Sequence, residues 1–129
     1  MTIVTGRLLV VDDNDLNREM LSRRLTRKGF EVEMAEGGRR ALELIDSENY
    51  DLVLLDIMMP EVTGIDVLES VRKRFSPAEL PVIMATAKTQ SEDVVSALTL
   101  GANDYVTKPI DFSVLLARID THLKLKHLF

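Results

Sequence analysis

Five residues of this chain could do chemistry together: Asp12, Asp13, Asp56, Thr86 and Lys108. The stretch LLVVDDND, residues 8–15, runs from four apolar residues into three acids within four positions. Like charges so crowded repel and raise one another's pKa. Three carboxylates in a small space need a cation. The chain has no cysteine and no suitably spaced histidine, so the donors are oxygens, which suit Mg²⁺ or a similar hard ion. With a metal bound, the acids can stay ionised at neutral pH. A carboxylate can then act as a nucleophile, as in the formation of an aspartyl phosphate. The metal would neutralise oxygen charge on an incoming phosphoryl group, while a lysine and a hydroxyl bind the remaining oxygens.

That chemistry requires residues from four places in the chain to meet, and the elements between them say how. Five strand-like runs occur: RLLVV (7–11), EVEMA (31–35), DLVLL (51–55), PVIMA (81–85) and NDYVT (103–107). Helical spacing fills the gaps. The first helix spans about Asp15 to Lys28 with Leu16, Met20, Leu21 and Leu25 inward, and Gly29 suits its stop. The second covers Gly38 to Ser47, and the third follows Gly64 with Ile65, Leu68 and Val71 inward. Thr89-Gln90-Ser91-Glu92 reads as a capping box for the fourth, which stops at Gly101. Asp111 is a candidate N-cap for the fifth, with Phe112, Leu115, Leu116, Ile119 and Leu123 inward.

Strict βα alternation predicts an α/β fold: a doubly wound (βα)5 parallel sheet with helices on both faces. LLVV, LVLL and VIM are continuous apolar runs, as in central strands covered on both sides. EVEMA alternates and NDYVT is short and polar, which suits edge strands. These assignments fit the order 2-1-3-4-5, and in such sheets ligands bind outside the C-terminal strand ends at the switch point between strands 1 and 3. Asp12-Asp13 follow strand 1, Asp56 strand 3, Thr86 strand 4 and Lys108-Pro109 strand 5, so all five residues should converge on that edge.

Composition narrows the field. A length of 129 residues suits one domain with a real core. A formal net charge of −5 speaks against direct non-specific binding of nucleic acid. No apolar run approaches a membrane span, and the four apolar residues between Arg7 and Asp12 are too few for a signal peptide. A cytoplasmic location is the default, and the lack of cysteine fits it.

Each residue taken alone also has an ordinary use. Asp12, Asp13 and Asp15 could complement a helix dipole. Asp56 could sit in a turn, Thr86 could bond the backbone, Lys108 could be a surface lysine, and Tyr105 could be a half-buried aromatic. None of these uses predicts that the residues meet.

VVDDN, LVLLDIMMP followed by Gly64, ATA and DYVTKP, in that order, resemble the receiver domain of two-component response regulators over nearly the whole chain, residues 1–129. The resemblance implies that Asp56 accepts a phosphoryl group from a sensor histidine kinase or a histidine phosphotransfer protein. It implies Mg²⁺, or Mn²⁺ in its place, held directly by Asp13 and Asp56, through water by Asp12, and by the main-chain carbonyl of Met58. Thr86 and Lys108 would hold the phosphoryl oxygens. Tyr105 would swing inward as Thr86 moves, changing the face of helix 4, strand 5 and helix 5, through which members can form homodimers. The module would be a self-phosphorylating and autodephosphorylating switch, not a turnover enzyme. The Lys108–Pro109 bond is usually cis in the family.

Thr63 stands where many members carry an acid before the glycine, which should change only the loop into helix 3. Met58 and Lys88 occupy positions that tune phosphoryl lifetime; a thioether is a poor partner for an attacking water, which predicts slow autodephosphorylation. The basic side of helix 1, with Arg18, Arg23, Arg24, Arg27 and Lys28, is either a partner-binding face or a solvated one. His122 and His127 lack a carboxylate setting in the sequence and read as surface residues. The N-terminal Met suggests the natural start. The ending ARIDTHLKLKHLF has no helix stop and resembles receivers that precede an output module such as a nucleotide cyclase or phosphatase domain, so the chain reads as either an excised N-terminal domain or a stand-alone receiver with a frayed tail.

Three other classes compete. A phosphatase of the haloacid dehalogenase type would need an acid where Met58 stands, and a cap domain. An FMN-binding flavodoxin-like protein would need hydroxyls and glycines where Asp12 and Asp13 stand. A degenerate receiver used only for docking would not keep all five site residues.

Overall fold

The computed structural model describes residues 5–87 and 91–128. Ten elements alternate: β1 (Arg7–Val11), α1 (Asp15–Arg27), β2 (Glu31–Ala35), α2 (Gly38–Ser47), β3 (Leu52–Asp56), α3 (Gly64–Arg72), β4 (Val82–Ala87), α4 (Ser91–Thr99), β5 (Asp104–Lys108) and α5 (Phe112–Lys126). The strands form one parallel sheet in the order β2-β1-β3-β4-β5. The expected strand order and helix count are therefore present. β3, β4 and β5 each start one residue later than the apolar runs suggest. At its far end β4 runs on to Ala87, because Thr86 and Ala87 pair with Thr107 and Lys108.

Side chains alternate across the strands and split the core in two. Leu9, Val11, Val53, Leu55, Val82 and Met84 pack with α2, α3 and Ala97 of α4. Leu8, Val10, Leu52, Leu54, Ile83 and Ala85 pack with α1 and α5 through Leu21, Leu25, Phe112, Leu115, Ile119 and Leu123. Both clusters end at the same edge, where the chain turns polar.

The helix starts are pinned beside that edge. Asn14 caps α1, its side chain accepting from the Asn17 N–H at 2.9 Å. Asp111 caps α5 through the Ser113 and Val114 N–H groups. Thr63 forms a full capping box with Asp66, which satisfies two backbone donors at once. The threonine that replaces an acid is thus the start signal of α3. Thr89 and Gln90 of the expected box for α4 lie outside the described residues.

Two inward positions of α1 are corrected. Leu16 is 79% exposed and Met20 is 48% exposed. At about 100° per residue Leu16 falls on the opposite side of the helix from Leu21 and Leu25, Met20 lies one step from Leu21, and the helix buries only the narrow Leu21–Leu25 stripe. His122 is corrected too: its Nε2 lies 3.0 Å from an Asp104 carboxylate oxygen, which also meets Arg118, and its side chain is largely buried. Sequence distance hid the pair, because Asp104 is on β5 and His122 on α5.

Arg72 ends α3 with its guanidinium turned inward, donating to the carbonyls of Gly101 and Leu80 and to Asn103 Oδ1. Burial pushes its pKa down to about 10. The contact ties the end of α4 to α3.

Gly64 lets the start of α3 lie on the backbone just after β3. A Cβ there would stand 2.2 Å from the Asp56 carbonyl and 2.8 Å from Ile57 Cα. These are backbone atoms and cannot turn aside, so Gly64→Ala should destabilise the protein by about 3 kcal/mol. Urea unfolding measures this; a loss below about 1 kcal/mol would mean that the loop yields.

Candidate functional site at the carboxyl edge of the sheet

Asp56 is the last residue of β3, Lys108 the last of β5, and Asp12 the first residue after β1. Their positions follow from the register, since Val11 pairs with Leu55 and Asp56 with Ala85. Asp12 and Asp56 are 2% and 3% exposed. Carboxylates are almost never buried this deeply without a partner.

The partner is Lys108. Its Nζ lies 2.7 Å from Asp56 Oδ2 and 3.7 Å from Asp12 Oδ2. Reaching Asp56 means crossing β4, since β5 and β3 lie about 10 Å apart, twice the usual strand spacing. Ala85 and Ala87 are the β4 residues aligned with Asp56 and Lys108. Their methyl groups leave the passage open, which gives a physical reason for the two alanines of ATA. The Lys108–Pro109 bond is cis, as the resemblance implied.

The charges do not balance. One oxygen of each interior carboxylate also accepts a backbone N–H: Asn14 on Asp12 at 2.8 Å and Met58 on Asp56 at 3.3 Å. Even so, burial holds the Asp56 carboxyl above the ordinary carboxylate range; the Lys108 bond pulls it down, and the charge of Asp12 pushes it up again. Burial works against the charge on Lys108, but Asp56, Asp12 and Asp13 outweigh it and raise its pKa.

Asp13 stands exposed at the mouth. One carboxylate oxygen from each of Asp12, Asp13 and Asp56 lies within 4.8 Å of the others. An all-oxygen donor set of this compactness, with one ammonium against three acids, fits a hard divalent cation such as Mg²⁺. Asp12, Asp13 and Asp56 could hold it.

Thr86 is 2% exposed and donates to the Ala87 carbonyl at 3.3 Å. Tyr105 is half-buried against the first core cluster. It pairs with Met84, two residues before Thr86, so all three share a sheet face. The side chain of Met58 is exposed, and Lys88 lies outside the described residues.

The chain matches the family model of the response regulator receiver domain over residues 8–120. It belongs to that family. It is 48% identical over 113 residues to the transcriptional regulatory protein DltR of Streptococcus agalactiae, covering 88% of this chain and 50% of DltR. Among solved structures, the receiver domain of the Francisella response regulator 1452 superposes with a TM-score of 0.84 at 32% identity, covering 92% of this chain and 97% of that one. A putative two-component response regulator/GGDEF domain protein superposes at 0.88 with 30% identity, covering 94% of this chain and 50% of that one. The chain spans about half the length of the curated relatives it matches.

The receiver's basic α1 face proves divided. Arg18 is mostly buried and donates to the Asp12 carbonyl, and Arg24 lies 4.1 Å over the Phe112 ring. Neither role has a signal in the sequence beyond helical spacing. A cavity of about 130 Å³ beside the site is lined by Met20, Leu21, Lys108, Pro109 and Ile110. A wider cleft, about 420 Å³, lies along α5 away from the acids, so size does not locate the chemistry.

The raised pKa of Asp56 has a definite sign. The fold favours its protonated form, so stability falls as pH rises through the folded pKa. In metal-free buffer at neutral pH, Asp56→Asn should therefore unfold at higher urea concentration than wild type. Millimolar Mg²⁺ should raise the wild-type midpoint and leave the variant nearly unchanged. An Asn variant less stable than metal-free wild type would show that Lys108 outweighs burial.

Proposed function

We propose that the chain, as one receiver module over residues 1–129, accepts a phosphoryl group on Asp56 from the phosphohistidine of a sensor kinase or a phosphotransfer protein. The observation that carries this is the Lys108 Nζ–Asp56 Oδ2 contact of 2.7 Å inside a cluster of three carboxylates. It puts one interior oxygen nucleophile between a fixed ammonium and two further acids. In the transfer, an Asp56 oxygen attacks phosphorus as the P–N bond to the donor imidazole breaks. Lys108 and the Thr86 hydroxyl bind the phosphoryl oxygens. Asp13, Asp56 and the Met58 carbonyl would hold Mg²⁺, or Mn²⁺ in its place, with Asp12 helping through water. Bound there, the ion would supply neutralisation of charge on the phosphoryl oxygens.

Thr86, drawn to the phosphoryl group, vacates space toward which Tyr105 turns, because the two share a face. The responding surface is α4, β5 and α5, where Val95, Leu98, Leu100 and Val114 are exposed and available to a second copy or a partner. Relatives twice as long suggest an output domain as the regulated partner. We read the module as a switch without turnover of an external substrate. No helix among the described residues is long and apolar enough to cross a membrane. That agrees with action in the cytoplasm, where the kinase's phosphohistidine would be met.

Incubation with acetyl phosphate and Mg²⁺ should add one phosphoryl group, mapped by mass spectrometry to Asp56. Chelation of the metal or Asp56→Asn should abolish it; a modified Asn variant would identify a different acceptor. The exposed Met58 thioether cannot orient an attacking water as an amide can. Met58→Asn should therefore shorten the phosphoryl half-life several-fold, and an unchanged half-life would leave the slow hydrolysis without this cause.

A further inference from the structure

Every hydrogen-bonding group of Asp12 is engaged. Its N–H donates to the Ala35 carbonyl at 3.2 Å, Oδ1 accepts from the Asn14 N–H at 2.8 Å, and Oδ2 faces Lys108. Its carbonyl accepts from Arg18 Nη1 at 2.8 Å. Asp13 is different: among the described residues it makes no hydrogen bond or ion pair of its own. Its place is set by the chain that leads into it.

Arg18 controls that chain. The side chain is only 15% exposed, and its two terminal nitrogens reach different acceptors: Nη1 the Asp12 carbonyl, and Nη2 Asp15 Oδ1 at 2.5 Å. Its own N–H bonds the Asn14 carbonyl at 3.0 Å, so it sits in the first turn of α1. The fork spans the turn from residue 12 to residue 15. A peptide unit is planar, so holding the Asp12 carbonyl also fixes the N–H and Cα of Asp13.

We propose that Arg18 is a positioning residue for the acidic site: by clamping the Asp12–Asp13 peptide it aims the otherwise untethered Asp13 carboxylate and so sets divalent-cation affinity. This rests on the reading of Asp12, Asp13 and Asp56 as a Mg²⁺ site. The role needs a planar fork with separate donors, which lysine lacks. Partners that orient metal ligands in this way commonly change affinity ten- to a hundredfold when removed, on the order of magnitude usual for such contacts.

Coulomb's law opposes the proposal in sign, which makes the test sharp. Removing a positive charge beside a cation site should by itself tighten cation binding. Loss of positioning should weaken it. Calorimetric titration of the 129-residue chain with MgCl₂ decides between them. Arg18→Met should weaken binding about tenfold while metal-free circular dichroism still reports a cooperative fold. Arg18→Lys, which keeps the charge and one donor, should lose about threefold, since a single ammonium cannot span both acceptors. If Arg18→Met does not fold, Arg18→Lys decides alone, because with charge unchanged any loss is positional. Wild-type or tighter affinity in the variant that decides overturns the role of Arg18. A wild type that binds no Mg²⁺ overturns the metal-site reading and this role with it.

Discussion

One ammonium faces three carboxylates, two of them interior, and the design of the protein turns on that imbalance. Lys108 lies close enough to Asp56 to make a strong charge-assisted bond. Were the pair isolated, the carboxylate would be easier to ionise than in water. Burial and the neighbouring Asp12 reverse that result. The site therefore holds negative charge at a cost, and anything that brings positive charge or removes negative charge relieves it. The attraction for a hard cation is the other side of this repulsion.

Only a rigid frame could hold such charges together. The frame is a parallel sheet whose central strands are apolar on both faces up to their last residue. Its register sets Asp56 beside Ala85 and Lys108 beside Ala87, so a lysine two strands away can reach across small side chains. Gly64 brings α3 down on the backbone behind Asp56. Each of these features sacrifices something locally, whether side-chain packing or backbone freedom. Together they keep the carboxylates from separating.

Much of this was legible in the chain because strong local signals agreed. Continuous apolar runs marked the central strands, and acids at their ends marked one edge. The late strand starts were harder, since Asp51, Pro81 and Asn103 carry no periodic signal of their own. Leu16 and Met20 misled because a helical stripe can be apolar without being covered. His122, Arg72 and Arg18 were illegible for a common reason: each is defined by a partner brought near by the fold. Asp104 is on another element from His122, Arg72 reaches across to Asn103, and Arg18 grips a backbone carbonyl that no residue type announces. Sequence pattern shows which side chains are apolar or charged, but not which backbone carbonyl a guanidinium will find.

The same frame bears on how a change at Asp56 could travel. Thr86 and Tyr105 are on adjacent strands and one face, with the ladder between β4 and β5 continuous to Lys108. A sheet so paired does not bend easily at its centre, whereas side chains at its edge can exchange places. Tyr105 is neither interior nor free, and its strand is the outermost one on that side. Asp104, next to it, is engaged by Arg118 and His122 of α5, so movement in β5 is felt by that helix. The interior of the site is thus linked to the outer helical face by a short path through packed groups. In the proposed switch the residue that responds to Asp56, Tyr105, lies on an edge strand, where a rearrangement leaves the core untouched.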